Sequence, residues 1–315
     1  MHTNNHIPTR FDGDNTVFKK LFRKKLLLKQ NNPQHKAIRP LLVVLPGTMR
    51  GVIGGGQVSA LEAHGLSEVF DNALGISTGA PIISYFLSKQ TKLGTSIYYD
   101  ELPKHNFIDF KRILSKKDIA NIDMLCDIFY GKIAHKKLDT KQLLANRTKA
   151  SVLSAEYTTA SPLHLPLTSH HTIIEHIRAS LAIPLAYKNI TINNTQCIDG
   201  IAAMHALPQI IEGYNPTDVV ILSNMHTPPR VRKLRNLLHT LILSPLPKAL
   251  RQNLIQSDSH LNTYFKSLSQ NTQYRSTVVW GEPVGTYEMR PHILKKAAKQ
   301  SFVRMHALLK KYKKV

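Results

Sequence analysis

The chain has 315 residues, 42% of them hydrophobic, so it can bury a sizeable core and is not globally disordered. Its 42 Lys and Arg against 20 Asp and Glu give a formal charge of +22, which favours polyanionic partners and says nothing about fold. Cys126 and Cys197 are the only cysteines; they cannot build a disulfide framework, which points to a reducing compartment. No apolar run approaches the ~20 residues of a bilayer crossing, and the first residues lack a signal-peptide pattern. A cytoplasmic protein, at most peripheral at a membrane, is the expectation.

Residues 1–37 read as a basic tail. Within it Val17, Phe18, Leu21 and Phe22 fall at helical spacing with lysines and an arginine between them. That pattern suits either a membrane surface or a packing face on the chain's own domain. The folded domain is expected over 38–315. Residues 41–45 read as a buried strand, followed by a glycine-rich turn at 47–56 and a helical stretch through Val58 and Leu61. A second strand at 70–75 and a helix at 80–89 complete the βαβ rhythm of a parallel sheet.

From about 93 to 150 the pattern changes to basic helical segments at 109–114, 122–130 and 138–146, which predicts a helical insertion. Strand character returns at 151–157, 188–192, 219–223 and 277–280, and residues 173–181 form an amphipathic helical pattern stopped by Pro184. Residues 227–251 are rich in Lys and Arg without an acidic residue, and the terminal helix, 293–312, is also strongly basic.

The strongest local signal is Gly75-Ile76-Ser77-Thr78-Gly79, a G-x-S-x-G between a predicted strand and helix. A serine on a sharp strand-to-helix turn has strained backbone, and flanking glycines let neighbouring chain approach closely. The turn aims the hydroxyl at a helix N-terminus, where developing negative charge is favoured. An α/β-hydrolase triad is disfavoured because only one strand precedes the serine's own. Two further pieces carry chemistry. The loop from Leu45 through Pro46, Gly47, Thr48, Met49, Arg50 and Gly51 leads into a helix, so its N–H groups can converge on an oxyanion. Asp199-Gly200 places a carboxylate at a turn, where partial desolvation lets it act as a base without a histidine. None of the 16 histidines sits in an H-E-x-x-H pattern. His226 or His239 completing a Ser…Asp…His triad stays a subordinate alternative.

Loop, elbow and Asp-Gly in this order resemble the patatin-like phospholipase family, and within it the bacterial group. The family's G-G-G-x-[RK]-G falls on Pro46 to Gly51, where Gly47, Arg50 and Gly51 match; residues 52–61 then align without gaps. Its G-x-S-x-G falls on Gly75 to Gly79, and Arg178-Ala179-Ser180-Leu181-Ala182-Ile183-Pro184 resembles the segment before its D-G-[GA], which falls on Asp199-Gly200. The resemblance spans roughly residues 40 to 225. It implies an α/β three-layer sandwich with a mostly parallel central sheet flanked by helices, plus the helical insertion.

For function, the resemblance implies a lipid acyl hydrolase of phospholipase A or lysophospholipase type. Ser77 is then the nucleophile, Asp199 the base of a Ser–Asp dyad, and Gly47, Thr48, Arg50 and Gly51 the oxyanion hole. No metal or organic cofactor is needed by this chemistry. Phospholipid or another lipid ester is the expected substrate and an anionic membrane surface the expected partner. Nucleic acid is not expected, because the basic runs lack interleaved aromatics and a binding motif. Three departures from the family pattern, Pro46, Thr48 and Ile201, support a second reading: a catalytically weak scaffold that binds anionic membrane or a partner. A threonine where positive φ is required would be strained.

Overall fold

The computed structural model describes residues 11–229 and 241–313. The basic run at 230–235, His239 and the polar residues 1–10 therefore lie outside the described residues. Nine strands form one sheet: β1 (Phe11–Gly13), β2 (Pro40–Val44), β3 (Asn72–Ile76), β4 (Lys149–Glu156), β5 (Pro162–Pro166), β6 (Ile190–Ile192), β7 (Thr195–Asp199), β8 (Asp218–Leu222) and β9 (Arg275–Val279). Their order is β1-β9-β8-β2-β3-β4-β7-β6, with β5 pairing β4 as well. The centre, β9-β8-β2-β3-β4, is parallel; β1, β5, β6 and β7 pair antiparallel around it.

Alternate residues of β2 show why the domain has three layers. Leu42 and Val44 belong to one apolar cluster, whereas Leu41 and Val43, with Leu45 just beyond, belong to another. Both faces of the strand are thus covered, as the continuous apolar run Leu41–Leu45 requires. On the first face lie α1 (Thr16–Lys29), α2 (Gly51–Ala63), α3 (Gly79–Leu87) and the C-terminal helix Pro291–Tyr312. The second face is covered by the 3-10 turn Gly200–Ala206, by Leu207 and Ile211 of the helix that follows it, and by the long helix Lys248–Ser267.

Between α3 and β4 the insertion consists of α4 (Thr91–Ser96), α5 (Ile122–Tyr130) and α6 (Thr140–Ala145), with shorter turns between them. The segment expected as a helix at 109–114 is a 3-10 turn, Phe110–Ser115, capped by the Asp109 side chain and ended by Lys116 at φ +54°. After β5 comes α7 (Ile173–Ser180). Among the described residues no helix is long and apolar enough to cross a membrane.

The reading of residues 11–37 as a tail is corrected by the structure. β1 pairs with β9, and Val17, Phe18, Leu21 and Phe22 of α1 are buried in the core. Phe18 stacks on Tyr312 of the C-terminal helix with ring centroids 5.7 Å apart. The stem of Lys24 lies in the same interior and its ammonium pairs with Asp71. An apolar stripe carries one signature whether it meets a bilayer or the chain's own sheet, which is why periodicity alone left the choice open. Phe18→Ala should therefore lower the unfolding free energy by about 3–5 kcal/mol. Lys19→Ala, on the exposed side of the same helix, should stay within about 0.5 kcal/mol of wild type in the same urea titration.

Candidate active site

Strand β3 runs between β2 and β4, with Ile76 opposite Leu153 of β4. Ser77 follows at once with φ +53°, buried, and α3 starts two residues later. A left-handed serine costs on the order of 1 kcal/mol, and the surroundings hold it there. Its N–H donates to Ser180 Oγ at 3.0 Å, and the Ser180 hydroxyl donates to the Leu153 carbonyl at 2.6 Å. Gly79 has no Cβ because one there would strike the Val44 carbonyl oxygen of the adjacent strand. The elbow expected from the sequence is present.

Asp199 reaches Ser77 through the sheet itself. β5 occupies one edge of β4 along 151–155, so β3 and β7 share the other. They approach head to head: β3 ends at Ile76 opposite Leu153, and antiparallel β7 ends at Asp199 opposite Ser154. Ser77 Oγ donates to Asp199 Oδ2 at 2.6 Å, while Asp199 Oδ1 accepts the Ile201 N–H at 2.8 Å. The Asp199 N–H donates to the Ala182 carbonyl at 2.9 Å, which ties the strand end to the segment after α7. Gly200 packs so closely on Leu153 that a Cβ would meet its carbonyl oxygen. Asp199 is 1% exposed, and burial pushes its carboxyl up to about 7 against the lowering effect of the hydrogen bonds from Ser77 and Ile201.

No histidine hydrogen-bonds to Ser77 or Asp199 among the described residues, and His226 is exposed in the loop after β8. His239 lies outside the described residues.

The loop after β2 holds Thr48 at φ +53°, the left-handed geometry that favours glycine. Asn224, buried at the end of β8, braces it. Its Nδ2 donates to the Leu45 carbonyl at 2.6 Å, and its Oδ1 accepts the Gly54 N–H at 2.9 Å. The Met49 N–H donates to Thr286 O, and the Arg50 N–H and Nε both donate to Gly47 O, at 3.0 and 3.3 Å. The Gly51 N–H is taken up by the Thr48 and Met49 carbonyls. Of the four expected oxyanion residues, only Gly47 and Thr48 keep an N–H without a partner among the described residues. The tight 3-10 turn at 48–50 takes up the backbone N–H groups of Arg50 and Gly51 together with the Arg50 Nε.

A narrow apolar cavity of about 30 Å³ lies beside this arrangement. Thr48, Thr78, Leu181 and Ile183 line it on the side of the site. The insertion contributes Leu102, Phe107, Ile122, Leu125 and Phe129.

The family model for patatin-like phospholipases matches residues 42–208, more than half of the chain and every element just described from β2 to Asp199. The chain belongs to the patatin-like phospholipase family. At that level of description it is a lipid acyl hydrolase. Among solved structures, VipD from Legionella pneumophila is similar with a TM-score of 0.44 and 13% identity, over 87% of this chain and 67% of that one. Comparison with curated proteins gave no match.

Sequence reasoning missed two residues that position this patatin-like site. Ser180 was visible inside the segment 178–184 but had no assigned contact, and Asn224 carried no motif at all. It lies 170 positions from Gly54 and they meet only because β8 and β2 are neighbours. Both free cysteines are buried, and burial raises their thiols, to about 12 for Cys126, so neither is an activated nucleophile. Asn224→Ala strips the partners of the Leu45 carbonyl and Gly54 N–H, and should cost about 1–3 kcal/mol in thermal or urea unfolding.

Proposed function

We propose that this protein hydrolyses lipid esters of phospholipase A or lysophospholipase type through a Ser77–Asp199 dyad and a covalent acyl-enzyme. The observation that carries the reading is the 2.6 Å hydrogen bond from Ser77 Oγ to a carboxylate that is itself buried. Ser77 Oγ attacks the ester carbonyl carbon and its proton passes to Asp199 Oδ2. The N–H groups of Gly47 and Thr48 hold the tetrahedral oxyanion. Collapse expels the alcohol, which takes the proton from Asp199 and leaves the acyl group on Ser77. Water then attacks the acyl-enzyme, giving its proton to Asp199, and a second collapse frees the fatty acid and restores the hydroxyl. The apolar walls beside Thr48 and Thr78 suit the start of an acyl chain, which must widen the narrow cavity to enter it, and the +22 charge favours an anionic membrane surface as the source of substrate.

Of the three departures behind the reading of a weak scaffold, Pro46, Thr48 and Ile201, Thr48 is the one whose backbone is in the strained region. The strain is accommodated, because Asn224 and Arg50 hold the loop in the turn and the Thr48 N–H stays without a partner. Thr48→Gly keeps that N–H and relieves the backbone, so it should leave hydrolysis of a short-chain ester equal or faster; a scaffold would show no turnover in either form.

Fluorophosphonate labelling followed by peptide mass spectrometry should place the adduct on Ser77. Asp199→Asn should lower kcat/KM by about 10²–10⁴-fold, since an amide cannot accept the proton. Because the base acts ionised, kcat/KM should rise with pH and level off above about 7. Stability should move the other way. A carboxyl raised in the folded state binds more protons there than in the unfolded chain between its ordinary value and about 7, so stability falls as pH rises through that window. Asp199→Asn should consequently melt higher than wild type at pH 8, with the difference closing toward pH 4.

A further inference from the structure

Residues 107–121 leave the domain and return to it at one place. The Asp109 N–H donates to Ile119 O at 3.0 Å, the Asn121 N–H donates to Phe107 O at 2.8 Å, and Ile108 bridges Ala120. At this base Phe107 and Ile122 are walls of the apolar cavity. At the other end the chain spends three large apolar side chains on solvent: Phe110 is 55%, Ile113 58% and Leu114 90% exposed. Burying each would stabilise the fold, so their position together at the surface calls for a partner outside it.

The surroundings say what that partner is. Lys111, Arg112, Lys116 and Lys117 alternate with the apolar residues, and none pairs with a carboxylate among the described residues. Of the two carboxylates in the segment, Asp109 accepts the Lys111 N–H at 2.9 Å and Asp118 is half-buried near the base. Tyr287, 61% exposed, meets the Phe110 ring edge-on at 5.7 Å, and its neighbour Thr286 accepts the Met49 N–H of the loop beside Ser77. The exposed patch is thus joined to the site at two points, the cavity wall and the Thr48 loop. Apolar tips ringed by cations match an anionic bilayer, where side chains enter the acyl boundary and lysines meet phosphate. A protruding tip beside the apolar cavity would bring a lipid ester to the site with little travel through water.

From this we infer that the 109–117 loop, together with Tyr287, is the element that docks the protein on anionic lipid bilayers. The inference rests on the lipid-ester reading for its purpose, while docking itself is measured without turnover. It replaces α1, whose apolar face lies in the core, as the membrane-contacting element.

Co-sedimentation with vesicles of phosphatidylglycerol and phosphatidylcholine, against phosphatidylcholine alone, tests it. Wild type should partition onto the anionic vesicles. The triple variant Phe110→Ser, Ile113→Ser, Leu114→Ser and the double variant Lys116→Glu, Lys117→Glu should each lose at least about tenfold in partitioning. The double variant Lys296→Glu, Lys299→Glu, which makes the same charge change on the exposed side of the C-terminal helix, should stay within about twofold. Circular dichroism shows whether each variant is folded. Equal losses in the loop and helix variants, wild-type binding by the triple variant, or no vesicle binding by wild type would each overturn the inference. Loop-dependent binding by a chain that releases no fatty acid would sink the hydrolase reading and leave the docking surface standing.

Discussion

The hydrogen bond between Ser77 and Asp199 is the contact on which the rest of this structure depends. It spans 122 positions of sequence and joins the ends of two strands that run toward each other along one edge of β4. Neither residue could be placed by local structure alone. The parallel centre of the sheet delivers Ser77 to the C-terminal end of β3, and the antiparallel hairpin β6–β7 returns Asp199 to meet it. Flanking helices on both faces then keep water from the carboxylate, and that exclusion gives it a proton affinity near neutrality.

Such a site has costs, and the fold carries them in identifiable places. Ser77 and Thr48 both sit at φ +53°, and a carboxylate is buried with no cation paired to it among the described residues. Ser180 ties the Ser77 backbone to β4, Asn224 ties the loop after β2 to the end of β8, and the Asp199 N–H is held by Ala182. These are the positions at which the structure resists relaxation of the strained residues. The outer layer is integrated in the same way: α1 closes one face of the sheet with Val17, Phe18, Leu21 and Phe22.

The α/β sandwich was legible in the sequence because parallel strands buried on both faces leave continuous apolar runs, such as Leu41–Leu45, separated by helical periodicity. The elbow was legible because few turns require G-x-S-x-G. β7 was not, although Asn193 and Asn194, both at positive φ, form the kind of turn that announces a hairpin. Asp199 was therefore placed at a turn when it ends a strand. The long helix Lys248–Ser267 was missed because its buried residues, Leu250, Ser257, Leu261 and Tyr264, are few and include a serine, so its apolar stripe is thin. Arg50 and Gly51 were grouped with Gly47 and Thr48 by motif; only the hydrogen bonds separate backbone N–H groups left without a partner among the described residues from those the turn takes up.

Direct titration of Asp199 is the measurement closest to the central claim. With carbon-13 in the aspartate side chains, the Asp199 carboxyl should titrate with a midpoint of about 7 in wild type. In Ser77→Ala, which removes a hydrogen bond that favours the ionised form, the midpoint should move higher. A midpoint near 4, or one that Ser77→Ala leaves unchanged, would contradict a buried carboxylate coupled to the serine hydroxyl.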